Sequence, residues 1–394
     1  MAAPDSRSAA RERGGATDVV GVVVLSGCAV WSLISAAGRE ARPEGVLLAV
    51  FAVAAGYACG RICGTLLPVA AASAAALAAL GLAIASRQGV PGANVGAATQ
   101  AGHTGAAAAL LVLAAGAACC AAAAARPPVL RLGLRMLALA VACAAPALGS
   151  VVGFAAALGV LLCSLAAVRM RRRTVALGGL ALVAGLVVAT SWGMAEDALP
   201  DGLTVSLEGQ LTQNRVALWQ DAIALVQEDP IRGVGPDRFG KLSSTAQQSI
   251  GSDGKPHSAW LQQAAEQGVV GVALLGAAFG WMLYGLLRSP RSTPVVVSAG
   301  AALTALALLA SVGNALSFAP VTAGAGLLAG LATARAAAED EVGAGTGGAP
   351  DGGGQSRDLA VQRGATPPRA WPFPPGGGVR GSPAPPLPRH PRSP

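Results

Sequence analysis

The chain has 394 residues, of which 53% are hydrophobic and only 12% charged, and its formal net charge is +8. A soluble domain carries about 25% charged residues, so the composition argues against a soluble globular protein. It also argues against a nucleic-acid binder, because the arginines stand at the ends of apolar runs and in the C-terminal tail, where they suit a membrane surface.

In chain order, residues 1–18 are polar and carry Arg7, Arg11 and Arg13. A first span follows from about Val19 to Ala37. It resembles a signal peptide ending in "SAAG" but is longer than a signal core, so it reads as a retained anchor. Further spans are expected at Val46–Gly60, Thr65–Ser86 and, after the polar "RQGVPGANVGAATQAGHT", Gly105–Ala125. The apolar stretch Leu132–Val168 is too long for one crossing and predicts a helical hairpin turning near Pro146–Ser150. Thr174–Trp192 closes a first group of seven spans within residues 19–192. A 76-residue polar stretch, 193–268, separates them from Val269–Leu287, Pro294–Leu316 and Val321–Ala334, within residues 269–335. Residues 336–394 are Gly/Pro/Arg-rich and read as a disordered cytoplasmic tail, in which "PPLP" is better taken as solvated chain than as a polyproline ligand.

The fold class is therefore an all-α polytopic membrane protein with about ten transmembrane helices. With the N-terminus in the cytoplasm, the inner ends carry Arg7, Arg11, Arg13, Arg61, Arg126, Arg131, Arg169, Arg171, Arg172, Arg173, Arg288, Arg291 and Arg335. The short outer loops carry Arg39, Arg42 and Arg87. This asymmetry makes 193–268 one large extracytoplasmic loop. The seven cysteines, Cys28, Cys59, Cys63, Cys119, Cys120, Cys143 and Cys163, lie in or beside apolar runs. They read as small buried hydrophobes, not as disulfides or metal ligands.

Chemistry, if there is any, belongs to the polar loop. Val216, Trp219, Ile223 and Val226 recur at helical spacing, Thr212 or Asn214 is placed to cap, and Pro230 stops the helix. Such a helix would lie on the membrane surface or over a cavity. Arg215 sits in its first turn, against the helix dipole. It reads either as a solvated or lipid-contacting arginine or as one placed for an anionic substrate, since the planar guanidinium suits phosphate. "GVGPDRFG" lacks the Gly-Lys-Ser/Thr ending of a nucleotide loop. Gly233 and Gly235 form a tight turn there, with Arg232 and Arg238 as candidate phosphate contacts. His257 stands at the N-terminal edge of the short helix "SAWLQQAAEQG". The dipole there disfavours an imidazolium, which leaves a neutral base or a surface histidine of no consequence. No cluster of His and carboxylates has metal-ligand spacing. The chain has only two lysines, Lys241 and Lys255.

The order Arg215, Trp219, Pro230, Gly233-Val234-Gly235, Phe239, His257-Ser258, Glu266, Gly268 and Gly271, running straight into a span, resembles the O-antigen ligase / O-antigen polymerase superfamily, best over residues 150–290. The resemblance implies a metal-independent glycosyltransferase of cell-surface polysaccharide assembly, without a cofactor. Its donor would be an undecaprenyl-pyrophosphate-linked glycan, and its acceptor a glycan, lipid or cell-wall polymer at the outer face of the cell membrane. Arg215 and His257 would be the catalytic pair. Arg232, Arg238, Ser258, Glu266 and Trp219 would bind substrate, and Gly233, Gly235, Phe239 and Gly268 would shape the turns.

Two departures stand out. The family's His-Asn is His257-Ser258 here, and its Ser-Arg-Gly corresponds to Gly149–Gly153 without an arginine, so that cation is either missing or supplied elsewhere, with Arg232 and Arg238 as the candidates. Two rival readings are a lipid-linked glycan flippase or transporter and a non-catalytic membrane scaffold. The spans hold no Asp or Glu and only Arg135, which argues against ion coupling. Ligase and polymerase share these motifs and are not separated by them.

Overall fold

The structure is a computed structural model and describes residues 6–87, 100–170, 172–195, 213–248 and 254–335. The regular elements among these residues are all helical: α1 (Ser6–Ala36), α2 (Glu44–Leu66), α3 (Pro68–Arg87), α4 (Gln100–Ala124), α5 (Pro128–Ala147), α6 (Val151–Ala167), α7 (Arg173–Ala195), α8 (Gln213–Glu228), α9 (Phe239–Leu242), α10 (Ser244–Gln248), α11 (Ala259–Arg288), α12 (Thr293–Ser311), a 3₁₀ turn (Ala315–Ser317) and α13 (Ala319–Thr333). A helix satisfies its own backbone groups, which a bilayer core demands. Eight of them are long and apolar enough to cross a membrane, and the shorter apolar α6 and α13 bring the bundle to ten. The protein is a multi-pass membrane protein.

Helix ends do not coincide with the ends of the apolar runs. α1 begins at Ser6, well before Val19. α4 begins at Gln100, and α7 reaches Ala195. Hydropathy marks the apolar part of each segment, whereas the helical backbone extends beyond it, even through Gly14-Gly15 and Gly102. The expected turn between α5 and α6 falls at Leu148–Ser150, where Gly149 has φ +81° and the Ser150 hydroxyl accepts from the Gly153 N–H at 2.9 Å. The polar start of the large loop and the C-terminal tail lie outside the described residues.

α4 and α12 form the centre of the bundle. α3, α5, α6, α12 and α13 all pack on α4, and its face is a run of Ala, Leu and Val with Cys119 and Cys120 buried among them. Small residues let helices approach closely where no hydrophobic gradient drives them together. The clearest case is α2 against α13. Gly56 and Gly60 lie against the carbonyls of Ala323 and Leu327, and Gly326 and Gly330 against those of Val53 and Tyr57. A Cβ at any of the four would overlap backbone, which cannot swing aside. The four-residue spacing of these glycines is visible in the chain but is diluted among 53 glycines. Gly60→Leu or Gly326→Leu is expected to destabilise by at least the upper end of the roughly 1–3 kcal/mol typical of overpacking. A thermal melt in detergent would show it, and an unchanged melt would mean that α2 and α13 have room to separate.

The end of the bundle remote from the large loop is tied by guanidinium groups on helix C-termini, where orphan carbonyls need donors. Arg61 Nη1 donates to Thr333 O at 2.8 Å. Arg291 donates to Gly64 O at 2.6 Å and to Ala334 O at 2.7 Å. Asp18 accepts from Tyr57 at 2.9 Å and from Arg61 at 3.1 Å.

Candidate active site

The segment from α8 to the start of α11 has a core of its own. Leu218, Trp219, Ala222, Ile223 and Leu225 of α8 pack with Val234, Phe239, Ala246, Leu261 and Ala265. This face is wider than the expected stripe, in which Val216 and Val226 are only half-buried. It packs against α11 and α10, so α8 is a helix of the loop core. Asn214 falls inside its first turn, and Thr212 lies outside the described residues. Asp221 anchors the next turn, accepting from the hydroxyls of Ser243 (2.6 Å) and Ser244 (3.4 Å) and from the Thr245 N–H (3.0 Å). Burial raises the Asp221 pKa, but these donors outweigh it and hold the carboxyl below its ordinary range.

Trp219 is 1% exposed, and its indole donates to the Pro256 carbonyl at 2.8 Å. It therefore does not face a substrate. It fixes the backbone immediately before His257. Arg215, one helical turn earlier, is half-buried, and desolvation lowers its pKa from the ordinary arginine value without discharging it at neutral pH. His257 is half-buried with φ +52°, a left-handed backbone that non-glycine residues rarely adopt and that sets the direction of its side chain. Ser258 stands at the N-terminus of α11. It is buried, and its hydroxyl has no partner among the described residues.

Gly268 breaks α11 with φ +69° and ψ −167°. A 30-residue helix is ~45 Å long, more than a bilayer core requires. The break leaves Val269 onward as the span and Ala259–Gln267 outside it. A broken helix exposes carbonyls, and each needs a donor. Val234 and Gly235 N–H donate to Ala265 O and Glu266 O, both at 2.8 Å, and the Trp31 indole donates to Gln267 O at 2.9 Å. On the far side, Val269 N–H reaches Pro230 O at 2.9 Å. Gly233 (φ +62°) and Gly235 (φ +105°) shape this docked turn, and Phe239 is wholly buried beneath it.

The α1–α2 loop straps the turn down. Arg39 pairs with Asp229 at 2.7 Å and bonds the Gly233 carbonyl, while Arg42 N–H donates to Pro236 O at 3.0 Å. Arg232 donates to Ile34 O at 2.7 Å and Arg238 to Val234 O at 3.1 Å. Each of the two expected phosphate contacts thus has one guanidinium nitrogen on backbone carbonyls, while its Nε is buried with no partner among the described residues.

Beside this junction is a cavity of about 650 Å³ that changes character along its length. Its polar end is lined by Arg42, Glu44, Asp237, Lys255, Gln262, Gln263 and Glu266. Its apolar end, among the spans, is lined by Leu25, Val53, Leu275, Phe279, Met282, Leu303 and Leu306. Arg215, His257, Arg232 and Arg238 are not among the lining residues. His257 stands between Lys255 and Ala259, which are. The cations at the cavity are Arg42 and Lys255, which lie outside the family motif. Lys255, one of two lysines and two residues from His257, was the available signal. Among the described residues, no group of three or more His, Cys, Asp or Glu is placed to hold a metal.

Glu266, 5% exposed, brings a second titratable group to the site. Burial pushes its pKa up to about 7, against the Asp237 backbone donor, with the Gln262 amide also near at 3.4 Å. Its folded pKa lies above the unfolded 4.5, so its contribution to stability is complete below the unfolded value and is lost as pH rises through the folded one. Wild-type melting temperature should therefore fall between about pH 5 and 8, and Glu266→Gln should flatten that slope. A parallel slope in both proteins would remove Glu266 as its source.

Residues 136–276 match the family model described as O-antigen ligase, a stretch that includes Arg215, the docked turn, His257, Glu266 and the Gly268 break. The match supports the O-antigen ligase superfamily and glycan transfer of the ligase or polymerase type. No curated protein matches the chain.

Proposed function

We propose that this protein transfers a glycan from an undecaprenyl-pyrophosphate carrier to an acceptor hydroxyl at the outer face of the cytoplasmic membrane, with the loop 193–268 on that face. The observation that carries the donor assignment is the cavity, whose charged end passes without interruption into an apolar end among the spans. A polyprenyl pyrophosphate has that same division. The arginine asymmetry between the two ends of the bundle supports the orientation.

In the reaction, the acceptor oxygen loses its proton to the His257 imidazole and attacks the anomeric carbon. The bond from that carbon to the phosphate oxygen breaks, and the carrier pyrophosphate departs with the bonding pair. Arg42 and Lys255 at the cavity rim hold the developing charge, and Arg215 supports it from α8. Cations aimed at a leaving group act more strongly in low-dielectric surroundings than in bulk water. Glu266, buried behind Gln262, is placed to share or relay a proton near neutral pH.

The test is transfer in proteoliposomes from labelled undecaprenyl-pyrophosphate oligosaccharide. Wild type is expected to release undecaprenyl pyrophosphate, and Arg42→Gln with Lys255→Gln to reduce that release by about 10²-fold. Movement of label across the bilayer without release would favour a flippase. Neither signal would leave a scaffold.

A further inference from the structure

A second, smaller cavity of about 490 Å³ lies at the end of the bundle away from the loop, lined by Arg135, Leu165, Ala166, Val168 and Arg169. Arg135 is on the third turn of α5, inside an apolar span, and is half-buried. Neither it nor Arg169 has an acidic partner among the described residues. Asp18, an acid at this end, is already held by Tyr57 and Arg61. More positive charge stands close by, with Arg126 and Arg131 before and within α5 and Arg172 and Arg173 at the start of α7.

A guanidinium inside a span without a counter-ion is costly, and such residues mark ligand sites. Arg169 is at the C-terminal end of α6, whose dipole accounts for one cation but not for two beside an open cavity. The surface next to the cavity is greasy: Leu132, Met136, Leu162, Leu165 and Val168 are each more than 40% exposed. A fork of two guanidinium groups matches a phosphodiester, and the adjoining apolar face of α5 and α6 matches acyl chains.

We propose that the Arg135–Arg169 cavity is a binding site for the headgroup of an anionic phospholipid, whose chains lie along α5 and α6. The site is separate from the loop cavity and does not depend on the glycan-transfer reading. Basic pockets between membrane helices bind acidic lipids by this combination of charge and apolar wall.

The test is native mass spectrometry of the full-length protein in detergent, titrated with phosphatidylglycerol and with phosphatidylcholine. Wild type should retain phosphatidylglycerol at least about tenfold more strongly than phosphatidylcholine. Arg135→Gln with Arg169→Gln should abolish that preference, while Arg172→Gln should leave it within about twofold. If the double variant proves unstable, Arg169→Gln alone should still weaken retention. Equal retention of both lipids by wild type, or full preference in the double variant, would overturn the site. So would displacement of the lipid by submillimolar inorganic phosphate, because that would make the ligand a free anion and not a lipid.

Discussion

His257→Ala is expected to lower glycan transfer by about 10²–10⁴-fold, the usual contribution of a positioned general base, with insertion into the membrane and melting temperature little changed. The histidine is half-buried at φ +52°, between a proline whose carbonyl is bonded by Trp219 and a buried serine that starts α11. Its left-handed backbone carries a cost of about 1–2 kcal/mol, so removing the side chain alone should not unfold the loop. His257→Gly separates the two roles. Glycine adopts this backbone without strain, so the variant should be at least as stable as wild type and as inactive as His257→Ala. Transfer at the wild-type rate in either variant would end the assignment of His257 as base. Arg215→Ala should also abolish transfer, through lost charge rather than lost proton transfer. Added imidazole should therefore raise the residual rate of His257→Ala and leave that of Arg215→Ala unchanged.

Gly268→Ala should act differently, lowering stability and activity together. A Cβ at Gly268 would overlap the Ile231 carbonyl, and φ +69° is itself unfavourable for any other residue. Strain of about 1–2 kcal/mol from the backbone adds to about 1–3 kcal/mol from the overlap. The break in α11 would have to straighten. The donors now on Ala265, Glu266 and Gln267, namely Val234, Gly235 and Trp31, would then lose their acceptors. The polar rim of the large cavity is built on that docking, so a fall in melting temperature should accompany a transfer loss of at least about tenfold. Gly233→Ala, whose Cβ would meet the backbone of Glu266 from the opposite side, should reproduce both effects. A variant that loses activity with an unshifted melt would show that the Gly268 break serves the chemistry directly and is not a structural support.

Apolar run lengths were enough to find the ten-helix plan, because burial in lipid is demanded residue by residue along one segment. The α5–α6 hairpin followed from its length alone, and the α8 helix from the spacing of Trp219 and Ile223. Local turn chemistry likewise identified Gly233, Gly235 and Gly268 as backbone devices, and each has positive φ. Pairings between distant parts of the chain were not legible. Arg232 and Arg238 read as phosphate contacts from the sequence, yet the C-terminal end of α1, about 200 residues away in sequence, supplies the carbonyls that engage Arg232. Trp219 reads as part of an apolar stripe and, by resemblance, as a substrate contact, and its burial at 1% exposure comes from a loop core drawn from five separate segments. The cavity with Arg42, Lys255 and Glu266 on its rim exists because the strap, the docked turn and the broken helix meet there. Hydropathy and periodicity report what one segment needs from its surroundings, whereas a cavity is the space left where several segments fail to fill one another, and that space is set by contacts between residues far apart in the chain.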